Sequence, residues 1–276
     1  TGVQTCALPI LVAKWMETDL KATVPVINMP GATGAIGVGR MVQNGAEAHS
    51  IAVLTGDTLA LATGSDSTFK FQDVVALGVM IRQPSGFFAR VDGPYKTWND
   101  VIAAAKANPG KITFASGGLG GSHQLSAELL KSLTGIDLVH IPYKGGAPAA
   151  VDLLAGRVDM MFEQMYAAMP NIQAGKTRAL AITSKKRLAL VPDLMTMEEA
   201  GVPGFEVLNW QGAIAPKGTP AAIIQRLNTE MNKVFAMPEF RDRVLGQGNE
   251  LGGGTPEQFA AFIKSENAKW GALVRA

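Results

Sequence analysis

The sequence predicts an α/β protein of two lobes on a parallel or mixed sheet, with a ligand cleft between the lobes. Three observations predict it. Runs of β-formers alternate with helical periodicity along the 276 residues, the pattern of open α/β sheets. Strand–glycine–helix units recur, at residues 24–44 and 111–134. Two extended segments, 86–91 and 205–214, bracket a self-contained βα set over residues 97–204. Lobe 1 is therefore expected at 1–90 and 213–276, and lobe 2 at 91–212. Clefts at domain interfaces are favoured ligand sites, and hinge closure is the motion such a form permits.

The elements follow in order. Residues 1–10 (TGVQTCALPI) carry no basic region and no long apolar core, so they do not read as a signal peptide. An α/β domain is expected to open with a strand, and that strand is missing here or replaced. Helical periodicity starts at Leu11 and runs to 21. A short strand is expected at 24–28, then a glycine loop (Gly31, Gly34, Gly37) and a helix to 44. Residues 50–54 read as a strand that ends in Thr55-Gly56-Asp57-Thr58. Strands follow at 74–81 and 86–91, and a helix at 97–108 capped by Thr97 and stopped by Asn108-Pro109-Gly110. Beyond 146, helices are expected at 147–155, 166–174, 197–201, 220–235 and 255–274. Strands are expected at 158–162, 177–183 and 205–214.

Composition excludes several functions. The formal net charge of +2 is too small, and no basic run alternates with aromatics, to suggest a nucleic-acid surface. One cysteine, Cys6, rules out a disulfide framework and a cysteine metal site. His49, His123 and His140 form no HxxH or HExxH pair, so no metal ligand set is visible. No apolar run reaches the roughly 18 residues of a membrane helix. A serine–histidine pair could arise only from Ser116 or Ser122 with His123 or His140, and no G-x-S-x-G elbow presents it.

The chain is organised around KITFASGGLGGSHQLSAELLKSLTGIDLVHIPYKGG, residues 111–146. It reads strand, glycine loop, helix, strand. Ile112, Thr113 and Phe114 are β-formers, and Leu125, Leu129, Leu130 and Leu133 recur at helical spacing. Between them, Ser116-Gly117-Gly118-Leu119-Gly120-Gly121-Ser122 lets a ligand approach the main chain. Unpaired N–H groups at the following helix start, with the helix dipole, favour a carboxylate or phosphate. Ser116 and Ser122 add hydroxyls, and His123 lies in the first turn. Glycines that only close a tight turn would leave the same pattern. Thr55 and Asp57 sit just past a strand's carboxyl end, where open α/β sheets bind ligands, and helix capping there is compatible with ligand contact.

Several segments together resemble a known family. They are NMPGATGAIG (28–37), ANPGKITFASGGLGGSH (107–123), TGIDLVHIPYKGG (134–146), AGRVDMMFE (155–163), RALAITS (178–184) and EAGVPGF (199–205). The ordered set is similar to the substrate-binding proteins of tripartite tricarboxylate transporters, the Bug family, over residues 11 to the end. The resemblance implies a type II periplasmic-binding-protein-like fold, a periplasmic location and no enzymatic activity. It implies a small organic acid as ligand and the permease subunits of a tripartite transporter as partners. No cofactor, nucleic-acid partner or membrane insertion is expected, and a monomer is. Carried onto this chain, the ligand-binding set is Ser116, Gly117, Gly120, Gly121, Ser122 and His123 from lobe 2, and Thr55, Gly56 and Asp57 from lobe 1. Tyr143 and Glu163, at strand ends, are weaker members. The chain departs from the family where TGVQTCALPI replaces a first strand and its glycine loop.

Two other readings remain. Gly31, Gly34 and Gly37 follow a strand and open a helix, with Asp57 beyond, which mimics a dinucleotide fingerprint. Their spacing is not G-x-G-x-x-G, and Pro30 sits at the strand end. A periplasmic ligand sensor would use the same cleft. For the anion itself, no Arg is placed as a bidentate clamp, so backbone donors must hold it. Asp57 and Glu163 would repel a second carboxylate unless water, a protonated group or a ligand amine intervenes, which leaves amino acids and aromatic acids open beside dicarboxylates.

Overall fold

The computed structural model describes residues 2–29, 31–62, 69–118 and 122–275. Its chain divides into two compact units. Unit 1 comprises Thr1–Arg82, Trp210–Leu245 and Glu250–Ala276; unit 2 comprises Gln83–Asn209 and Gly246–Asn249.

Unit 1 opens with α1 (Gly2–Leu20), so residues 2–10 continue the helix expected to start at Leu11. A 3-10 turn at Ala32–Gly34 leads into α2 (Ala35–Asn44), then β1 (Ala52–Thr55) and α3 (Gly56–Ala62). β2 (Val74–Arg90) supplies its first half to this unit. β7 (Leu208–Pro216), α8 (Ala221–Ala236), α9 (Pro238–Gly246), β8 (Glu250–Gly253) and α10 (Pro256–Arg275) complete it. β1 runs antiparallel to β7, with Thr55 opposite Gln211, and β8 antiparallel to β2, with Leu251 opposite Ile81.

Alternation along β7 feeds two cores, one on each sheet face. Ala213 and Ala215 pack with Val12 and Met16 of α1, Ile224 and Met231 of α8, and Phe240 of α9. Trp210 and Ile214 pack with Val38 of α2, Leu59 of α3, and Phe259 and Ile263 of α10. Gly212 has no side chain because a Cβ there would overlap the Phe259 ring. Glu266 of α10 is buried and accepts from both Trp210 Nε1 (3.3 Å) and Trp270 Nε1 (3.0 Å).

Unit 2 contains the second half of β2, then α4 (Trp98–Ala107), β3 (Thr113–Ser116), α5 (Ser122–Thr134), β4 (Val139–Pro142), α6 (Gly146–Leu154), β5 (Met160–Gln164), α7 (Met165–Gln173) and β6 (Thr177–Ile182). β3 is parallel to β4 and β5, while β2 is antiparallel to β5 and β6. Thr97 caps α4 by accepting from Asp100 N–H, and Asp100 returns the bond to the Thr97 N–H. Alternate residues of β2 again serve two faces. Phe87 meets Trp98, Phe162 and Phe205, and Phe88 joins Ala115, Leu153, Met161 and Ile182.

Four expectations change. Residues 24–28 join no ladder among the described residues, and Ile27 is 77% exposed; β-formers make a strand only where a partner strand is available. The strands expected at 74–81 and 86–91 are one 17-residue strand. Residues 197–201 form a single turn closed by Ala200 N–H to Thr196 O (2.9 Å), not a helix. α9 and β8 lie where no element was expected.

Asn228 of α8 ties unit 1 together. Its buried amide donates to Leu77 O (2.7 Å) in β2 and to Gly254 O (2.9 Å) before α10. Asn228→Ala leaves both carbonyls short of a partner and should cost about 1–3 kcal/mol. Urea unfolding followed by circular dichroism reads this as a lower midpoint at unchanged slope.

Candidate functional site

β3 ends at Ser116, which is fully buried. Two hydrogen bonds lace its end to the turn that follows β4. Ser116 O accepts from Tyr143 N–H (3.0 Å), and Gly117 O accepts from Gly145 N–H (3.0 Å). The backbones approach so closely that a Cβ on Gly117 would lie 3.4 Å from Gly146 N. Gly118 and Gly145 hold φ of 154° and 110°, values that favour glycine. Leu119, Gly120 and Gly121 lie outside the described residues, so the expected roles of Gly120 and Gly121 are not placed.

The Ser116 hydroxyl is fully engaged. It lies 2.6 Å from His140 Nε2, donates to Gly118 O (2.9 Å) and accepts from Gly118 N–H (3.3 Å). The His140 ring stacks on Phe114, 4.7 Å between centroids. Burial holds the His140 pKa below its ordinary value; Glu128 opposes that shift and Lys131 adds to it. Of the serine–histidine pairs the sequence allowed, this one forms. Its serine is sealed from solvent and bonded into its own turn, a positioning role for the glycine turn.

Ser122 starts α5, and its carbonyl accepts from Ser126 Oγ (2.6 Å). His123 projects toward the end of β5. Its side chain is 13% exposed, its ring centroid lies 5.2 Å from that of Phe162, and Nε2 stands 3.4 Å from Asn209 Nδ2 and 3.9 Å from Glu163 Oε1. Glu163 is 12% exposed. Its Oε1 accepts from Gln164 N–H (2.8 Å), and its Oε2 rests where a Cβ on Gly146 would be. Burial, then the Glu163 charge, raise the pKa of the Tyr166 hydroxyl. Tyr143 is spent elsewhere: its hydroxyl donates to Asp152 Oδ2 (2.8 Å). That bond, followed by the one from Arg157, lowers the Asp152 pKa.

Three polar residues, two in apolar strands and Thr183 just past the end of β6, join this cluster without having been singled out in the sequence. Asn209 Nδ2 lies 3.5 Å from Ser85 Oγ. Ser85 N–H donates to Thr183 Oγ1 (3.0 Å), whose hydroxyl returns to Ser85 O (3.2 Å). The available signal was a buried polar residue in an otherwise apolar run: Ser85 beside Phe87-Phe88, and Asn209 beside Trp210.

In unit 1, Thr55 is the last residue of β1 and caps α3. Its Oγ1 accepts from Thr58 N–H (3.2 Å) and pairs with Thr58 Oγ1 (2.9 Å). Gly56 faces the Trp210 indole, where a Cβ would lie 3.3 Å from Nε1. Asp57 sits in the first turn of α3. The other glycine loop packs on the same helix start, since a Cβ on Gly34 would lie 2.9 Å from Thr58 Oγ1. Gly31 and Gly34 hold φ of 126° and 94°, and Gly37 packs on Met29. Turn geometry and close packing account for Gly31 and Gly34. Among the described residues, no group of three or more His, Cys, Asp or Glu could hold a metal ion, and no helix is long and apolar enough to cross a membrane.

Residues 10–276 match the profile of the tripartite tricarboxylate transporter family receptor. The UPF0065 protein of the tcbD-tcbE intergenic region of Pseudomonas sp. (strain P51) is 36% identical over 272 residues, 97% of this chain and 81% of that one. Protein BugT of Bordetella pertussis is 32% identical over 279 residues, 99% of this chain and 85% of the relative. Among solved structures, Rhodopseudomonas palustris Rpa4515 with adipate superposes at a TM-score of 0.84, with 28% identity and coverage of 97% and 91%. MatC (Rpa3494) of R. palustris with bound malate does so at 0.81, with 26% identity and coverage of 99% and 95%.

His140 makes stability depend on pH. Its folded pKa lies below the unfolded value of about 6.5, so the unfolded chain takes up the proton first. Stability should therefore fall as pH drops through about 6.5, and level off below the folded pKa. Urea midpoints compared at pH 7.5 and 5.5 should differ less in His140→Gln than in the parent chain.

Proposed function

The chain belongs to the tripartite tricarboxylate transporter receptor family, and on that premise we propose that it is a periplasmic solute-binding protein for a small organic anion. It delivers that anion to the permease subunits of a tripartite transporter and catalyses no reaction. The observation that carries the reading is the match over residues 10–276, together with whole-chain likeness to relatives solved with adipate and with malate.

A carboxylate of the ligand is taken by the turn at Gly117, Gly120, Gly121, Ser122 and His123, which Ser116, its hydroxyl already spent on His140 and Gly118, holds in place. Backbone N–H groups and the start of α5 carry the affinity, as charge-assisted hydrogen bonds. Two arginines of unit 2 are already committed, Arg157 to Asp152 and Arg187 to Glu199, which supports backbone recognition. Thr55, Gly56 and Asp57 are the proposed contribution of unit 1, where a short strand hands over to a helix. Tyr143 contributes least, since its hydroxyl already serves Asp152. Glu163 is the polar member closest to the glycine turn that carries charge.

Thermal unfolding tests the reading. A ligand at 100 times its Kd adds about 2.7 kcal/mol, which at roughly 2–4 °C per kcal/mol for this size raises Tm by about 5–10 °C. Malate, adipate, succinate, aromatic acids, amino acids and NAD would be screened. A rise with at least one organic acid and none with NAD is expected. Silence across the acids, or a rise with NAD alone, would contradict the proposal.

A further inference from the structure

Glu163 is a nearly buried carboxylate whose ionic neighbour is His123, 3.9 Å away. Among the described residues no Lys or Arg nitrogen comes within 4.0 Å of it. Its contacts are the neutral Gln164 N–H and the backbone of Gly146. His123 does not fill the gap. Its Nε2 is 3.9 Å from Oε1, beyond hydrogen-bond range. That same ring nitrogen lies 3.4 Å from Asn209 Nδ2. Buried charges are ordinarily paired, and an acid left in this state is an acceptor awaiting a donor.

The acid also stands one backbone thickness from the glycine turn. Gly117 bonds Gly145, Gly117 abuts Gly146 N, and Gly146 abuts Glu163 Oε2. Only glycine at 146 leaves that oxygen its place. A ligand carboxylate held by the turn therefore lies beside the Glu163 carboxylate. In a partly desolvated site, a further negative charge on the ligand is repelled there, while an ammonium forms a charge-assisted hydrogen bond.

We infer that Glu163 is a specificity-determining residue, and that it selects acids bearing an ammonium group over acids bearing carboxylates alone. This rests on the solute-binding reading above and narrows its ligand class to amino carboxylates. His123 and Asn209 form the neighbouring wall.

Isothermal titration with matched pairs tests it: aspartate against succinate, and 4-aminobutyrate against glutarate. In at least one pair the amino member should bind at least tenfold tighter. Glu163→Gln, nearly the same shape, should bring that ratio below threefold, with circular dichroism confirming the fold. Should the variant not fold, the ratios of the parent chain decide alone. Plain diacids binding as tightly as their amino partners, or a ratio that survives Glu163→Gln, would overturn the inference and leave the solute-binding reading standing. Binding of none of the four would overturn the inference, and silence across every acid of the thermal screen would overturn both.

Discussion

Backbone against backbone, with no side chain between, is the contact on which the second unit depends. Gly117 lies against the backbone of Gly145 and Gly146, and the Gly145 N–H to Gly117 O bond fixes their spacing. That contact brings the ends of β3, β4 and β5 together and leaves room for Glu163 Oε2 over Gly146. The polar residues then arrange themselves around it. Ser116 is held by His140 from the next strand, His123 comes from the start of α5, and Asn209 is anchored through Ser85 and Thr183. Parallel strands put these ends on one side of the sheet, because each returns through a helix to start again at the other.

The first unit solves a different problem, the joining of distant segments of chain. β7 and α8–α10 come from beyond residue 208, yet they share cores with α1–α3 and the start of β2. Two polar devices pin them. Asn228 bonds β2 and Gly254 at once, and Glu266 collects two indole N–H groups. Buried polar groups that are fully bonded rigidify a core and specify one arrangement. The same fold thereby spends its polar residues structurally in unit 1 and leaves a carboxylate with neither Lys nor Arg beside it in unit 2.

Much of this was legible in the sequence, for reasons that can be named. Ile112 to Phe114, Gly117-Gly118 and the leucines from 125 onward read correctly as β3, the start of a turn and α5 because propensity and period agree there. The cap of α4 was visible in Thr97 and its stop in Asn108-Pro109-Gly110. The strands expected at 74–81 and 86–91 run on through Pro84 as one. Pro84 falls between the residues that pair with β8 and those that pair with β5, where β2 has least need of an N–H. β8 escaped notice because Gly252 is there to abut the Val79–Met80 backbone rather than to favour a strand. The Ser116–His140 pair was one of several the sequence permitted, and only the parallel register of β3 and β4, which sets Ser116 beside Pro142 and Phe114 beside His140, selects it. The Glu163–Gly146 contact left no local signal, since the two residues are brought together only by the sheet.

Amide chemical-shift mapping by NMR, in a titration with malate and with aspartate, tests the central claim most directly. The account predicts the largest changes at the N–H groups of Gly117, Gly118, Gly145 and Gly146 and in the first turn of α5. Changes confined to the Gly31–Gly34–Gly37 loop, or absent from residues 116–123 while an acid binds, would contradict it.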